Sequence, residues 1–217
     1  MAESTTVSSG SDAPGVLPGR TRLSVERRRE HLLEVGADLF LGRAYEKVST
    51  EDIARAAGVS QGLLFHYFAN KQEFYLAVLR RSADEFIDEV FAERAGEPLA
   101  QLVAGIEAYF HYVDRHAPRM RALLRGGVGG SAEVQEVIES TRLRVIERFT
   151  EKMPPELRQR GAELRAALYG WLGFIEAVAL DHIEQGDLPV QACTDLVIRV
   201  LAAAVPELPE LVQTPGA

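Results

Sequence analysis

Residues 48 to 71 read Val-Ser-Thr-Glu-Asp-Ile-Ala-Arg-Ala-Ala-Gly-Val-Ser-Gln-Gly-Leu-Leu-Phe-His-Tyr-Phe-Ala-Asn-Lys, and the pattern predicts two short helices joined by one tight turn. Ser49 or Thr50 can cap the first, whose apolar residues Ile53, Ala54 and Ala57 fall three and four apart on one face. Gly58 ends it, because a left-handed backbone angle is cheap only without a side chain. Val59 plugs the angle between the helices. Ser60 caps the second, in which Leu64 and Phe68 face inward. The opposite face carries Gln61, Gly62, Phe65 and His66 with Tyr67 beside them: an amide, a gap that permits close approach, flat rings and hydrogen-bonding tips. Such a face suits the major groove of DNA.

A helical hairpin with an Ala-Gly turn is the plainer alternative, but it does not account for two caps, a turn glycine, a Val plug and an aromatic-polar face within one window. The next helix opens with Asn70 and Glu73, which predict a capping box, and this leaves Lys71 at a helix start where a phosphate can lie. Gln61 and His66 are the candidate readers of base edges. Tyr45, Lys47, Thr50, Tyr67 and Lys71 are the candidate phosphate contacts.

The segments Asp52-Ile53-Ala54, Ala57-Gly58-Val59-Ser60, Gly62-Leu63-Leu64-Phe65-His66-Tyr67-Phe68 and Lys71 resemble the signature of TetR-type (tetracycline-repressor-like) transcriptional regulators. The likeness is specific between about Arg27 and Leu79 and architectural beyond that. It implies an all-helical homodimer that binds a palindromic double-stranded DNA operator and lets go when a small molecule enters the larger domain. Phe65 departs from the pattern, standing where the family most often has a tyrosine that touches phosphate, which leaves that contact open.

The 217 residues, 47% of them hydrophobic, suffice for a core in one ordinary domain or two small ones. No apolar run reaches a membrane span and the amino terminus lacks a signal-peptide segment, so the cytoplasm is the expected compartment. The single Cys193 reads as a small buried hydrophobe. The net charge of -8 is unevenly spread: residues 20–81 hold 11 Lys and Arg against 8 Asp and Glu, a net of +3, while residues 82–217 hold 13 against 22, a net of -9. Positive charge beside the helix-turn-helix favours DNA through counterion release, and the acidic remainder disfavours it.

Residues 1–23 are rich in Ser, Thr, Gly, Pro and Ala and read as a disordered tail; Arg20 and Arg22 at its end could serve as a minor-groove arm or as plain linker. Ser24 to Gly42 reads as a first helix with the stripe Val25, Leu32, Leu33, Gly36, Ala37 and Phe40, and with Arg27, Arg28 and Arg29 near its start. A long helix follows from Asn70 to about Arg94, its first turn at the DNA and its last in the next domain. Further helices open at Glu97-Pro98, Ala117-Pro118 and Ser131. Gly126 to Gly130 reads as a hinge or linker, since no strand precedes it and no Lys-Ser or Lys-Thr pair follows. Ala166 to Leu180 and Ala192 to Ala204 are apolar on nearly every side and so need covering on both. Gly170, Gly173 and Ala177, with Leu196 and Val200, therefore predict a four-helix homodimer interface; Glu176 and Asp181 and the shortness of the runs disfavour a membrane hairpin.

The expectation is all-α: a helix-turn-helix DNA-binding domain over 24–71, a helical effector and dimerisation domain over 72–206, and a tail over 207–217. Phe86, Tyr109, Phe110, Tyr112, Met120, Leu124, Phe149, Trp171 and Phe174 should converge on a ligand cavity. His111, with Tyr109 and Tyr112 and with Arg121 and Arg125 at the rim, points to a small apolar or amphipathic effector, such as a fatty-acyl compound or a flat aromatic molecule. No Glu-x-x-His pair occurs, the five histidines are scattered, and no nucleophile motif is present, so no cofactor, metal or catalytic residue is assigned. A ligand-binding helical adaptor, or a helical-bundle enzyme without a DNA role, is the alternative.

Overall fold

The computed structural model describes residues 24–41, 43, 45–125 and 131–208, and among these it contains ten α-helices, one 3-10 turn at Tyr45–Lys47 and no strand. Helix α1 (Val25–Leu41) braces the pair α2 (Thr50–Ala56) and α3 (Gln61–Tyr67). Ser49, rather than Thr50, caps α2: its Oγ accepts from the Asp52 amide at 3.0 Å, and Asp52 Oδ2 accepts from the Ser49 amide at 3.1 Å, so two orphan donors are satisfied reciprocally. Gly58 then turns the chain at φ 64°, in the left-handed region, and Ser60 Oγ caps α3 through the Leu63 amide. Ile53, Leu64 and Phe68 meet Leu32, Val48 and Phe74 in one buried cluster. Phe68 does this from just beyond α3, in extended backbone.

Helix α4 (Lys71–Val90) links the two halves of the molecule. Asn70 Oδ1 accepts from the Glu73 amide at 2.8 Å, but Glu73 reaches back to the Ala69 amide at 2.7 Å, one residue before the expected partner. At Gly36 the side chains of α4 pack directly against the backbone of α1. A Cβ there would lie 2.6 Å from both Phe74 Cζ and Val78 Cγ2, so the contact requires glycine. Arg81 adds an ion-pair bridge from α4 to Glu30 and Glu34 of α1. The long helix stops at Val90, short of the expected Arg94, whose guanidinium instead folds back onto the Val90 and Glu89 carbonyls and satisfies the helix end.

Beyond it come α5 (Pro98–Arg115), α6 (Ala117–Leu124), α7 (Ala132–Glu151), the one-turn α8 (Pro155–Arg158), α9 (Ala162–Gln185) and α10 (Val190–Ala204). Their core gathers Phe110, Val113, Leu164, Leu168, Val197 and Leu201. Trp171 Nε1 donates to the Val197 carbonyl at 2.7 Å, pinning α9 to α10. Cys193 is buried on α10. No described helix is long and apolar enough to cross a membrane.

Several expectations change. Val25 is exposed and is not part of the α1 stripe. Pro154-Pro155 does more than stop α7, because Pro155 starts α8 at a position that needs no amide. Helix α9 extends past its apolar stretch at both ends, through residues such as Glu163 and Glu184. Leu208 is buried and Glu207 pairs with Arg160 at 3.0 Å, so the chain is still held where a tail was expected from 207. Val134 and Val137 of α7 belong to the same cluster as Leu32 and Phe74, so the boundary at residue 71 is crossed by shared core. The expectations for residues 1–23, for Gly126–Gly130 and for 209–217 lie outside the described residues.

Candidate nucleic-acid interface and ligand cavity

The α3 face expected at DNA is open. Ser60, Gly62, Phe65 and His66 are exposed, as is Lys47, while Thr50, Gln61, Tyr67 and Lys71 are half-buried. A Cβ at Gly62 would have no neighbour closer than Ser60 Oγ at 3.9 Å. Gln61 Nε2 donates to Thr50 Oγ1 at 3.4 Å, which joins the first turns of α2 and α3. A hydrogen bond from Gln61 is also the main reason the Glu51 carboxyl is held below its ordinary value. The His66 ring stands edge-on to Tyr67 at 5.3 Å.

Tyr45 and Lys71 are drawn together in a way the sequence does not disclose. Lys71 Nζ donates to the Tyr45 carbonyl at 2.6 Å and sits 4.0 Å from the centre of its ring, a cation-π contact. The Tyr45 ring itself stacks with Phe40 and lies tilted at 45° against Tyr75, and burial raises the pKa of its phenol. Rather than reaching freely outward, Tyr45 forms part of a cavity wall.

That cavity, of about 320 Å³, lies between α1, α4, α5, α6, α7 and α9. A second, of about 530 Å³, lies beside it toward Phe91, Leu102, Met153 and Leu208. Phe86, Tyr109, Val145 and Leu172 line both. Of the residues expected at a ligand, Phe86, Tyr109, Tyr112, Met120 and Leu124 line the first, and Phe149 and Trp171 line the second. Phe110 and Phe174 line neither: Phe110 is fully buried with its edge toward His182, and Phe174 packs on the core from the flank of α9.

The polar lining differs from the expected set. His111 is exposed, Arg121 donates to the Ile183 carbonyl, and Arg125 pairs with Glu184, so none of the three lines either cavity. In their place are Arg43 and Glu46 near the Tyr45 end, Arg119, Ser82, Thr141 and the pair Arg142–Glu176. Arg142 grips both Glu176 oxygens at 2.8 and 2.7 Å, and this hydrogen bonding raises the guanidinium's pKa. Glu176 is the lone charge between Ala166 and Leu180, and a carboxylate in so apolar a helix demands a partner; that was the available cue. Arg119 donates to Ser82 Oγ at 3.1 Å and to the Tyr112 hydroxyl. Burial raises the phenol pKa of Tyr112, takes Tyr75 to about 12 and lifts Tyr109 much further. His116, against the Tyr112 ring at 4.3 Å, has its pKa lowered by burial and then by Arg119 and Arg115.

On the far side of α9, Gly170, Gly173 and Ala177 are exposed, and a Cβ at either glycine would meet nothing within 4 Å. Leu196 and Val200 of α10 are half-buried against the core that holds Phe110 and Leu168. Among the described residues, no three His, Cys, Asp or Glu side chains cluster as a metal site would need.

The sequence matches the family described as bacterial regulatory proteins, tetR family, over residues 32–78, and the tetracyclin repressor-like C-terminal domain over residues 98–204. It is similar to the HTH-type transcriptional activator FasR of Mycolicibacterium smegmatis, 32% identical over 47% of this chain and 48% of that protein, so the match spans about half of that relative's length. It is also similar to the HTH-type transcriptional regulator TcmR of Streptomyces glaucescens, 28% identical over 83% of this chain and 73% of that one. The crystal structure of a tetR-family transcriptional regulator from Streptomyces coelicolor superposes with a TM-score of 0.70 at 32% identity, covering 88% of this chain and 89% of the other. With capped helices, a left-handed turn glycine and an open recognition face at one end, and matches through both halves, the chain belongs to the TetR family of transcriptional regulators, which bind DNA through this helix-turn-helix and are not enzymes.

Proposed function

We propose that the chain is a ligand-responsive repressor that binds a palindromic operator as a homodimer and is released by a small apolar effector. Residues 24–71 act as the reading unit, residues 72–206 bind the effector and dimerise, and the protein works on DNA in the cytoplasm. The observation that carries this reading is α4. Its first residue, Lys71, is locked to Tyr45 beside the recognition helix, and its later residue Phe86 lines both cavities. A ligand that spreads these walls acts on the helix that seats α3, and the two recognition helices of a dimer must match half-sites one DNA turn apart. Repression needs only an occupied operator, whereas activation needs a further surface for polymerase. The test is a mobility shift with genomic fragments, followed by titration of the bound fragment with apolar compounds and by transcription from it in vitro. Failure to bind any fragment would favour an adaptor, and stimulation of transcription would reverse the sign.

Within this reading Gln61 and His66 contact bases, and Lys71, Thr50 and Tyr67 contact phosphates. Lys71→Ala should weaken all DNA about equally and lower the salt slope by about one, whereas Gln61→Ala should relax sequence preference. Titrations on operator and random DNA at several salt concentrations check this, and indistinguishable profiles for the two variants would overturn the division of roles.

The exposed small-residue face of α9 with α10 is the proposed dimer surface. Gly173→Glu puts a charge where the protomer has open space, so the protomer should fold. Its dimer should not form, since an unpaired charge in a close helix contact is costly. Sedimentation decides the point: a dimer of native affinity would place the interface elsewhere.

A further inference from the structure

Two hydrogen-bonding groups in the cavities lack the partners their chemistry asks for. Arg119 lies in a mostly aromatic and aliphatic wall, and its guanidinium is held only by neutral oxygens, Ser82 Oγ and the Tyr112 hydroxyl, with the Tyr112 ring 5.6 Å from its carbon. Among the described residues no carboxylate stands at ion-pair distance from it, whereas of the other two guanidiniums in the same wall that of Arg142 is fully matched to Glu176 and that of Arg43 is on an exposed residue. A half-buried cation set against neutral groups alone is incompletely compensated. An anion would complete it, and the two bonds already made hold the fork in place to receive one. The second group is the Tyr109 hydroxyl. Tyr109 is 7% exposed, its oxygen is buried with no hydrogen-bond partner, and the residue lies on the wall common to both cavities. Burial keeps this phenol protonated, so it is a donor without an acceptor, and such groups call for a partner.

We propose that the first cavity binds a carboxylic acid with an apolar body and a second oxygen part-way along it, the carboxylate on Arg119 and the second oxygen accepting from the Tyr109 hydroxyl. The remaining body passes Phe86 and Leu172 into the second cavity, where Phe149 and Trp171 offer apolar walls. This assignment rests on the effector reading and narrows it to a class. Arg142 is excluded as the anchor by its bidentate pair. His116 is excluded because it lines neither cavity.

The experiment is calorimetric titration of the full chain with decanoate, decanol and a set of ketodecanoates differing in the position of the ketone. Decanoate should bind about 10- to 100-fold more tightly than decanol, the range of a charge-assisted hydrogen bond. Arg119→Gln should remove that preference while leaving decanol unchanged, and Arg121→Gln, outside both cavities, should leave decanoate unchanged. One ketodecanoate should exceed decanoate by about tenfold, and Tyr109→Phe should erase that gain alone. The native comparison of acid with alcohol stands even if a variant fails to fold. Equal binding of decanol and decanoate overturns the proposal, as does a carboxylate preference that survives Arg119→Gln or a ketone gain that survives Tyr109→Phe. Each ligand is also titrated against the protein on its bound genomic fragment. If decanol releases the DNA as well as decanoate does, the effector reading stands and the acid class falls. If the acids bind as expected and release nothing, the class stands and the effector reading falls.

Discussion

Phe74→Ala should lower the free energy of unfolding by about 3 to 5 kcal/mol, the range for removing a fully buried phenylalanine from a core that closes only in part. Phe74 has no exposed surface. Its ring meets Phe68 edge-on at 4.9 Å and Phe40 at 6.3 Å, and it lies over the glycine gap at Gly36. The space left behind would sit where α1, the end of α3 and α4 converge, so the recognition helix would lose its seat and DNA affinity should fall with stability. Urea unfolding with an unchanged slope is the measurement. A loss below about 1 kcal/mol would mean that neighbouring helices move in to fill the space.

Gly62→Glu should do the reverse to stability and more damage to binding. Position 62 is the second residue of α3, exposed, with only Ser60 Oγ within 4 Å of an added Cβ. A glutamate there removes a helix glycine, worth about 1 kcal/mol, and places a negative charge near the positive end of the helix. The protein should therefore melt slightly higher. Against a DNA backbone the same carboxylate is a like charge at contact distance, an arrangement that costs several kcal/mol, so operator affinity should fall about 100-fold or more. Thermal melting and a mobility shift at two salt concentrations test both halves. Native binding by a stabilised Gly62→Glu protein would show that this face of α3 does not meet DNA.

The helix-turn-helix was legible because its instructions are local. Ser49, Gly58, Ser60 and Asn70 each act within four residues of themselves, and the structure uses all four. The aromatic content of the middle helices also pointed to the right neighbourhood, since most of those residues line one of the two cavities. The polar chemistry there was not legible, because it depends on pairs distant in sequence. Arg119 meets Ser82, Arg142 meets Glu176 and Lys71 meets Tyr45 across separations of 26 to 37 residues, and no periodicity encodes which of many arginines turns inward. His111 was misplaced for a related reason: a helix with a wide apolar face gives little warning of which edge residue lies outside it. Likewise Val134 and Val137 look like any amphipathic stripe, and only the folded chain shows that they complete the core under the DNA-binding helices.

Tyr45 is shared property. It lines the first cavity, while the Lys71 ammonium rests on its ring and hydrogen-bonds to its carbonyl. Cavity and candidate phosphate contact are thus neighbours across a single residue, and communication between them requires no relay through the length of the molecule. Thermodynamics then fixes a symmetry: whatever factor a cavity ligand takes from DNA affinity, DNA must take from ligand affinity. A protein already seated on its operator is on those terms a poorer receptor than one free in solution. The unbound population would fill first as ligand accumulates, withdrawing the pool from which vacated operators are reoccupied.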